Sequence, residues 1–200
     1  MPRPKQPQQY YDDIKAKFRD ARNLRLGYRP PGTDQFISEL SGDLSKYAVD
    51  PYAADVPDRA PITDEVEVLL IGGGFSALLT SARLRERGIK GVRIVERGSD
   101  VGGTWYWNRY PGAACDVVSY DYLPLLDELD YVPVNHYSRG PEIFGHCQAI
   151  AHKYNLYDLA VFNTTVTETR WDETEALWHV KTDRGDVMRA QFVICANGTL

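Results

Sequence analysis

Residues 66–96 contain the arrangement that most restricts what this chain can become. VEVLLI (66–71) is a short apolar run rich in β-branched residues, the mark of a strand buried on both faces. It runs into Gly72-Gly73-Gly74. Phe75 to Arg87 then has helix-forming composition, with Leu78, Leu79, Ala82 and Leu84 on one broad face and Gly88 placed as the C-terminal cap. VRIVE (92–96) predicts a second buried strand. Strand, turn, helix and strand fit within about 32 residues, the size of one βαβ unit.

The turn Gly72-Gly73-Gly74-Phe75-Ser76-Ala77 matches G-x-G-x-x-G/A. Gly72 permits the tight turn out of the strand. Gly74 lets a pyrophosphate approach the backbone, and Ala77 keeps helix and sheet close. The helix N-terminus then offers free N–H groups and a positive dipole end. Glu96 ends the next strand 24 residues after Gly72, where a ribose 2′-hydroxyl acceptor is expected. A carboxylate there repels a 2′-phosphate, so the site favours NAD or FAD over NADP. Arg97, which follows it, is read as a solvated charge. The same turn partly matches the G-x-S-x-G nucleophile elbow of serine hydrolases, but Leu78 stands where that motif needs glycine. Ser76 is therefore read as a helix-start residue near phosphate.

Downstream, PEIFGHCQAIAHKYN (141–155) predicts a helix with proline at its first position. VFNTTVTETRW (161–171), ALWHVKT (176–182) and DVMRAQFVICA (186–196) alternate apolar and polar residues. They predict a three-stranded antiparallel meander turned at Asp183-Arg184-Gly185-Asp186, with the last strand returning into the parallel sheet. The expected fold class is α/β: a Rossmann-like domain with an inserted antiparallel meander. Residues 1–64 differ. They hold ten acidic and ten basic residues and recurrent prolines. They are expected to form an extension that covers a neighbouring domain, with short helices at Tyr10–Leu26 and Asp34–Leu44, and the nucleotide domain is expected over residues 65–200.

Composition narrows the function. Apolar residues are 43% and charged residues 26% of the 200, enough for a core. A net charge of −5 argues against a general nucleic-acid binder. Three cysteines with no C-x-x-C pair signal neither a disulfide framework nor a zinc site. His146 and His152 are six apart on a predicted helix, about 240° around its axis, and cannot clamp one metal. No segment reads as a secretory signal or a membrane span, so a cytoplasmic protein is expected.

Six residues after Glu96 begins a second glycine pair, Gly102-Gly103, followed by TWYWNRYPGAACD (104–116). The run ERGSDVGGTWYWNRYPGAACD resembles the FAD-binding segment of class B flavoprotein monooxygenases and, within them, the Baeyer–Villiger monooxygenases. The resemblance covers about residues 65–200. VICANG (193–198) is similar to the strand ending A-T-G of two-dinucleotide-domain flavoproteins, with Asn197 where threonine is common.

The resemblance implies FAD and NADPH as cofactors and a ketone and O2 as substrates, with ester or lactone formation through a flavin C4a-peroxide. It implies no nucleic-acid or membrane partner and leaves the oligomeric state open. By the same resemblance Gly72, Gly74, Phe75, Ser76 and Glu96 hold the nucleotide. Gly103, Thr104, Trp105, Trp107, Cys115, Asp116 and Tyr122 surround the flavin end, and the Val166 backbone meets the adenine. Asp116 is the catalytic candidate, holding in place an arginine expected beyond Leu200. The NADPH turn and the F-x-G-x-x-x-H-x-x-x-W-P signature are expected there too, so the sequence reads as the N-terminal part of a longer protein. Open alternatives are an N- or S-oxidising flavin monooxygenase and, for a chain ending at 200, a non-catalytic dinucleotide-binding module.

Overall fold

The computed structural model describes residues 7–25, 49–53, 56, 58–198 and divides into two compact units, Met1–Val49 and Asp50–Leu200. In the first unit, helix α1 (Gln8–Arg25) carries two side-chain bonds one turn apart, Gln8 to Asp12 and Gln9 to Asp13. The expected second helix over 34–44 lies outside the described residues.

The second unit is built on a six-stranded sheet of β1 (Thr63–Ile71), β2 (Val92–Val95), β3 (Ala160–Val161), β4 (Val166–Asp172), β5 (Leu177–Thr182) and β6 (Val187–Cys195), ordered β3-β2-β1-β6-β5-β4. β1 lies third in this order and pairs in parallel with β2 and β6. Its apolar segment is buried from Val68 to Leu70, as a strand covered on both faces requires. Leu70 and Val68 face one core with Leu78 and Ala82 of α2 (Phe75–Glu86) and Cys147 and Ile150 of α6 (Gly140–Lys153). Leu69 faces a second core with Val95, Val180, Met188 and Ala190. Each fully buried leucine here is worth about 1.5–3 kcal/mol. Short helices α3 (Thr104–Trp107), α4 (Ser119–Tyr122) and α5 (Leu126–Leu129) fill the segment between β2 and α6.

The meander forms as the alternation predicts, with one correction. The stretch 161–171 is not one strand. Ala160–Val161 is a separate strand, β3, parallel to β2, and the meander starts only with β4 (Val166–Asp172), followed by β5 (Leu177–Thr182) and β6. The break has a local cause. Asn163 turns the chain in the left-handed region (φ 51°), and the Asn163 and Thr164 amides donate to the carbonyls of Gly98 and Glu96. Helix α6 starts at Gly140, so Pro141 stands one residue inside the expected position.

The second unit begins at Asp50. Buried Asp186, at the β5–β6 turn, draws the preceding segment in. Both of its oxygens accept from the Arg59 guanidinium, at 2.6 and 2.7 Å, and it also accepts from the Ile62 amide and the Thr182 hydroxyl, each at 2.7 Å. These bonds hold the Asp186 carboxyl below the usual carboxylate range, Arg59 contributing most.

Candidate nucleotide-binding site

The site forms where β1, β2 and β6 end together. The Gly72 amide donates to Val95 and the Ala196 amide to Ile71, which brings three strand ends under one turn. Gly72 has φ +108°, and a Cβ there would lie 2.5 Å from the Ala196 carbonyl oxygen, so the position admits only glycine. Helix α2 starts at Phe75 with Gly74 as its N-cap. No side chain caps it, and its first turn holds no acid. Its first amides thus lack partners within the helix and concentrate positive potential at that end. Ser76 is exposed on this first turn.

Glu96 lies beneath the turn and is only 5% exposed. Its two oxygens accept the amides of Gly73 and Gly98, the latter at 2.6 Å. Burial raises the carboxyl above its ordinary value, while the Gly98 and Gly73 amides and Arg97 pull the other way. Each oxygen keeps a lone pair for a further donor. A Cβ on Gly73 would lie 2.8 Å from a Glu96 oxygen, so any side chain there would push the carboxylate out of place.

The second glycine pair closes against the first. The Gly102 amide donates to the Gly73 carbonyl at 2.9 Å. A Cβ on Gly74 would meet the Gly103 Cα at 3.4 Å. That is ordinary van der Waals contact, so Gly103 leaves room for a Cβ at 74, and the reason for glycine there stays the approaching pyrophosphate. Beyond this contact, Trp105 is buried and donates from Nε1 to the Tyr122 hydroxyl at 2.8 Å. Phe75 and Trp105 both meet Tyr122 edge to face, at 5.6 and 5.9 Å. Cys115 is buried in the same cluster, and its sulfur accepts the Val117 amide. Burial raises the Tyr122 phenol.

The structure thus gathers Gly72, Gly74, Phe75, Glu96, Gly103, Trp105, Cys115 and Tyr122 into one continuous region. Thr104 and Asp116 are exposed beside it. Two expected residues stand apart from the aromatic cluster. Trp107 packs on Tyr106 at 5.0 Å with the Arg97 guanidinium 5.4 Å from its ring. Val166 opens β4 and packs on the core around Leu69 and Val95. Sequence reasoning missed Asp50, Ser99 and Tyr106, which bond to one another beside Gly98. Tyr106 was visible as the middle of the W-Y-W run, whereas Asp50 carried no pattern at all.

The residues present fit a dinucleotide. The uncapped α2 N-terminus suits phosphates. The glycine turns leave backbone without side chains around it, and Glu96 retains acceptor capacity. Among the described residues no group of three His, Cys, Asp or Glu side chains could hold a metal, and no helix is long and apolar enough to cross a membrane.

Strand order, glycine turn, acid-ended second strand and meander together define a Rossmann-like domain of the two-dinucleotide-domain flavoprotein type. The NAD(P)-binding Rossmann-like domain family matches residues 70–126. Over 188 residues, 94% of the chain, the sequence is 50% identical to pentalenolactone D synthase of Streptomyces arenae. It is 46% identical over 187 residues to a Baeyer-Villiger monooxygenase of Streptomyces coelicolor. The fold matches a polycyclic ketone monooxygenase from Thermothelomyces thermophila with a TM-score of 0.74 and 32% identity, covering 94% of this chain and 33% of that one. It also matches OTEMO in complex with FAD and NADP with a TM-score of 0.64 and 32% identity, over 71% of this chain and 26% of that one. The chain belongs to the Baeyer–Villiger monooxygenase family. It spans about 31% and 30% of the length of the two curated relatives named above.

Proposed function

We propose that this chain is the FAD-holding part of an NADPH- and O2-dependent Baeyer–Villiger monooxygenase that converts a ketone to an ester or lactone. The observation that carries the reading is the closure of two glycine turns over one uncapped helix N-terminus, with the buried Glu96 carboxylate beneath. FAD, when bound, supplies the redox chemistry that lets NADPH electrons activate O2.

The chain's own residues bind, orient and exclude water. The first amides of α2, with Ser76 beside them, receive the phosphates, and Gly72 and Gly74 keep the backbone bare. Glu96 accepts from a ribose hydroxyl with the lone pairs left by Gly73 and Gly98. Gly103 and Thr104 carry the chain past the ligand. Phe75, Trp105, Cys115 and Tyr122 form an apolar wall, and dryness matters for an oxygen-activating flavin. Trp107, apart from that wall, packs on Tyr106 on the Arg97 side, and the Val166 backbone serves the adenine end. Asp116, exposed and anionic, is the carboxylate available to orient an arginine at the reacting end. The whole protein's substrate would be a small-molecule ketone.

The test is the visible spectrum and released cofactor of the protein purified from its natural reading frame. Oxidised-flavin absorption in the visible, FAD on release, and NADPH-dependent conversion of a ketone to its ester are expected. A colourless protein that takes up no added FAD would overturn the proposal.

A further inference from the structure

Just before the nucleotide fold lies a three-residue segment, Asp50-Pro51-Tyr52, that reaches the site from outside the βαβ unit. Asp50 Oδ2 accepts from the Tyr106 hydroxyl at 2.5 Å and from the Ser99 amide at 3.2 Å, while Oδ1 accepts the Tyr52 amide at 2.8 Å. The Tyr106 hydroxyl also shares a bond with the Ser99 hydroxyl at 2.5 Å. Tyr52 meets the Tyr106 ring edge to face at 5.7 Å, and its hydroxyl reaches the Trp107 carbonyl at 3.4 Å.

Arg109 locks the same place. Its guanidinium carbon lies 4.1 Å from the Tyr52 ring centre and 4.5 Å from those of Tyr106 and Phe144, and its Nε donates to the Tyr106 carbonyl at 2.9 Å. Three rings around one cation form a contact stronger than apolar packing alone.

The contacts lead to Glu96. The Tyr106 ring packs so closely on Gly98 that a Cβ there would lie 2.7 Å from it. The Gly98 amide, in turn, donates to Glu96 Oε1. The path therefore runs from Asp50 to the Tyr106 hydroxyl, through its ring to Gly98, and from that amide to the carboxylate.

We propose that Asp50 is a positioning residue for the nucleotide site: through Tyr106 it fixes the Gly98–Ser99 loop and so the aim of the Glu96 carboxylate. The segment Asp50–Tyr52 is then a strap that completes the site rather than a linker leading to it. This inference rests on the nucleotide-binding reading above.

The test uses the full-length protein with three variants, Asp50→Ala, Tyr106→Phe and the double substitution. Tyr106→Phe removes one hydroxyl and keeps the ring, so it reports even where Asp50→Ala folds poorly. Each single variant is expected to weaken FAD binding about tenfold, as the loss of a charge-assisted bond implies. The double variant should be no weaker than the poorer single one, because both act on one path. The Tm of the apoprotein should fall only slightly in Tyr106→Phe while its FAD Kd rises about tenfold, so Tm and Kd separate. Amide exchange at Gly98 and Ser99 in the apoprotein should accelerate at least fivefold, with Leu69 and Leu70 unchanged.

Unchanged exchange in both single variants, or a Kd within twofold of the parent, overturns the strap. Additive losses in the double variant overturn the shared path. A parent protein that binds no FAD overturns the flavin reading instead, and the exchange measurement still decides whether Asp50 holds the loop.

Discussion

A Cβ placed on Gly103 would lie 2.8 Å from the Cα of Gly74, so the second glycine pair closes on the phosphate turn only with glycine at 103. Two motifs separated by 29 positions therefore act as one structural unit. The uncapped end of α2 is kept open between them, with Glu96 below.

This contact predicts unequal costs for alanine. Gly103→Ala combines a left-handed backbone (φ +52°) with a clash against backbone, and should cost about 2–4 kcal/mol. Gly112→Ala shares a positive φ of +87° but has open space, and should cost about 1–2 kcal/mol. Urea unfolding of both variants measures the difference. FAD affinity should fall only for Gly103→Ala.

Glu96→Gln should be costly despite its nearly identical shape. The carboxylate accepts from Gly73 and Gly98 on separate oxygens, and an amide replaces one acceptor with a donor facing an N–H. A buried donor left without a partner costs about 1–3 kcal/mol. Both unfolding midpoint and FAD Kd should worsen, and the Kd should rise more than tenfold.

Asp186 predicts an acid-side loss of stability. Its folded carboxyl titrates below the unfolded value of about 3.9, so the unfolded state binds the proton more readily. The stabilisation is complete above that value and is lost as pH falls through the folded pKa. Asp186→Asn should cost about 2–3 kcal/mol at pH 7, because Arg59 loses its partner yet keeps some solvent. The gap to the parent protein should narrow as pH falls towards 2 in denaturation series.

Cys147 should be chemically silent. It is fully buried in the core under α6, and burial pushes its thiol up to about 12. Thiol reagents at about pH 8 should leave it unmodified in the native protein and label it on unfolding, as peptide mapping will show. Rapid native labelling at Cys147 would contradict the packing of α6 on the sheet.

Much of this was legible in the sequence because it depends on neighbours in the chain. The run 66–71, the glycine turn and the helix after it form where apolar spacing and glycine placement predict, and Glu96 directly follows β2 as the acid should. Periodicity also located α6 and the β5–β6 hairpin. The break between β3 and β4 was not legible. Nothing in VFNTTVTETRW marks Asn163 as a corner, and the corner exists because Gly98 and Glu96 carbonyls accept its amides.

The aromatic run shows the same limit within three residues. Trp105, Tyr106 and Trp107 look alike in sequence, but a short helix sends them to different partners. Trp105 bonds to Tyr122, Tyr106 packs on Gly98 and reaches Asp50, and Trp107 lies under Arg97. Asp50 itself was one acid among ten in a mixed segment.

The sequence by itself determined the βαβ unit, the bare glycine turn and the acid that follows, because strand and helix periodicity and the φ freedom of glycine are local properties. Only the tertiary structure decided that Gly74 and Gly103 meet, that Glu96 is held by Gly73 and Gly98, and that Asp50 bonds to Tyr106. Those contacts join segments distant in the chain. Their energies come from close backbone approach and buried hydrogen bonds, which exist only once the sheet has brought the strand ends together.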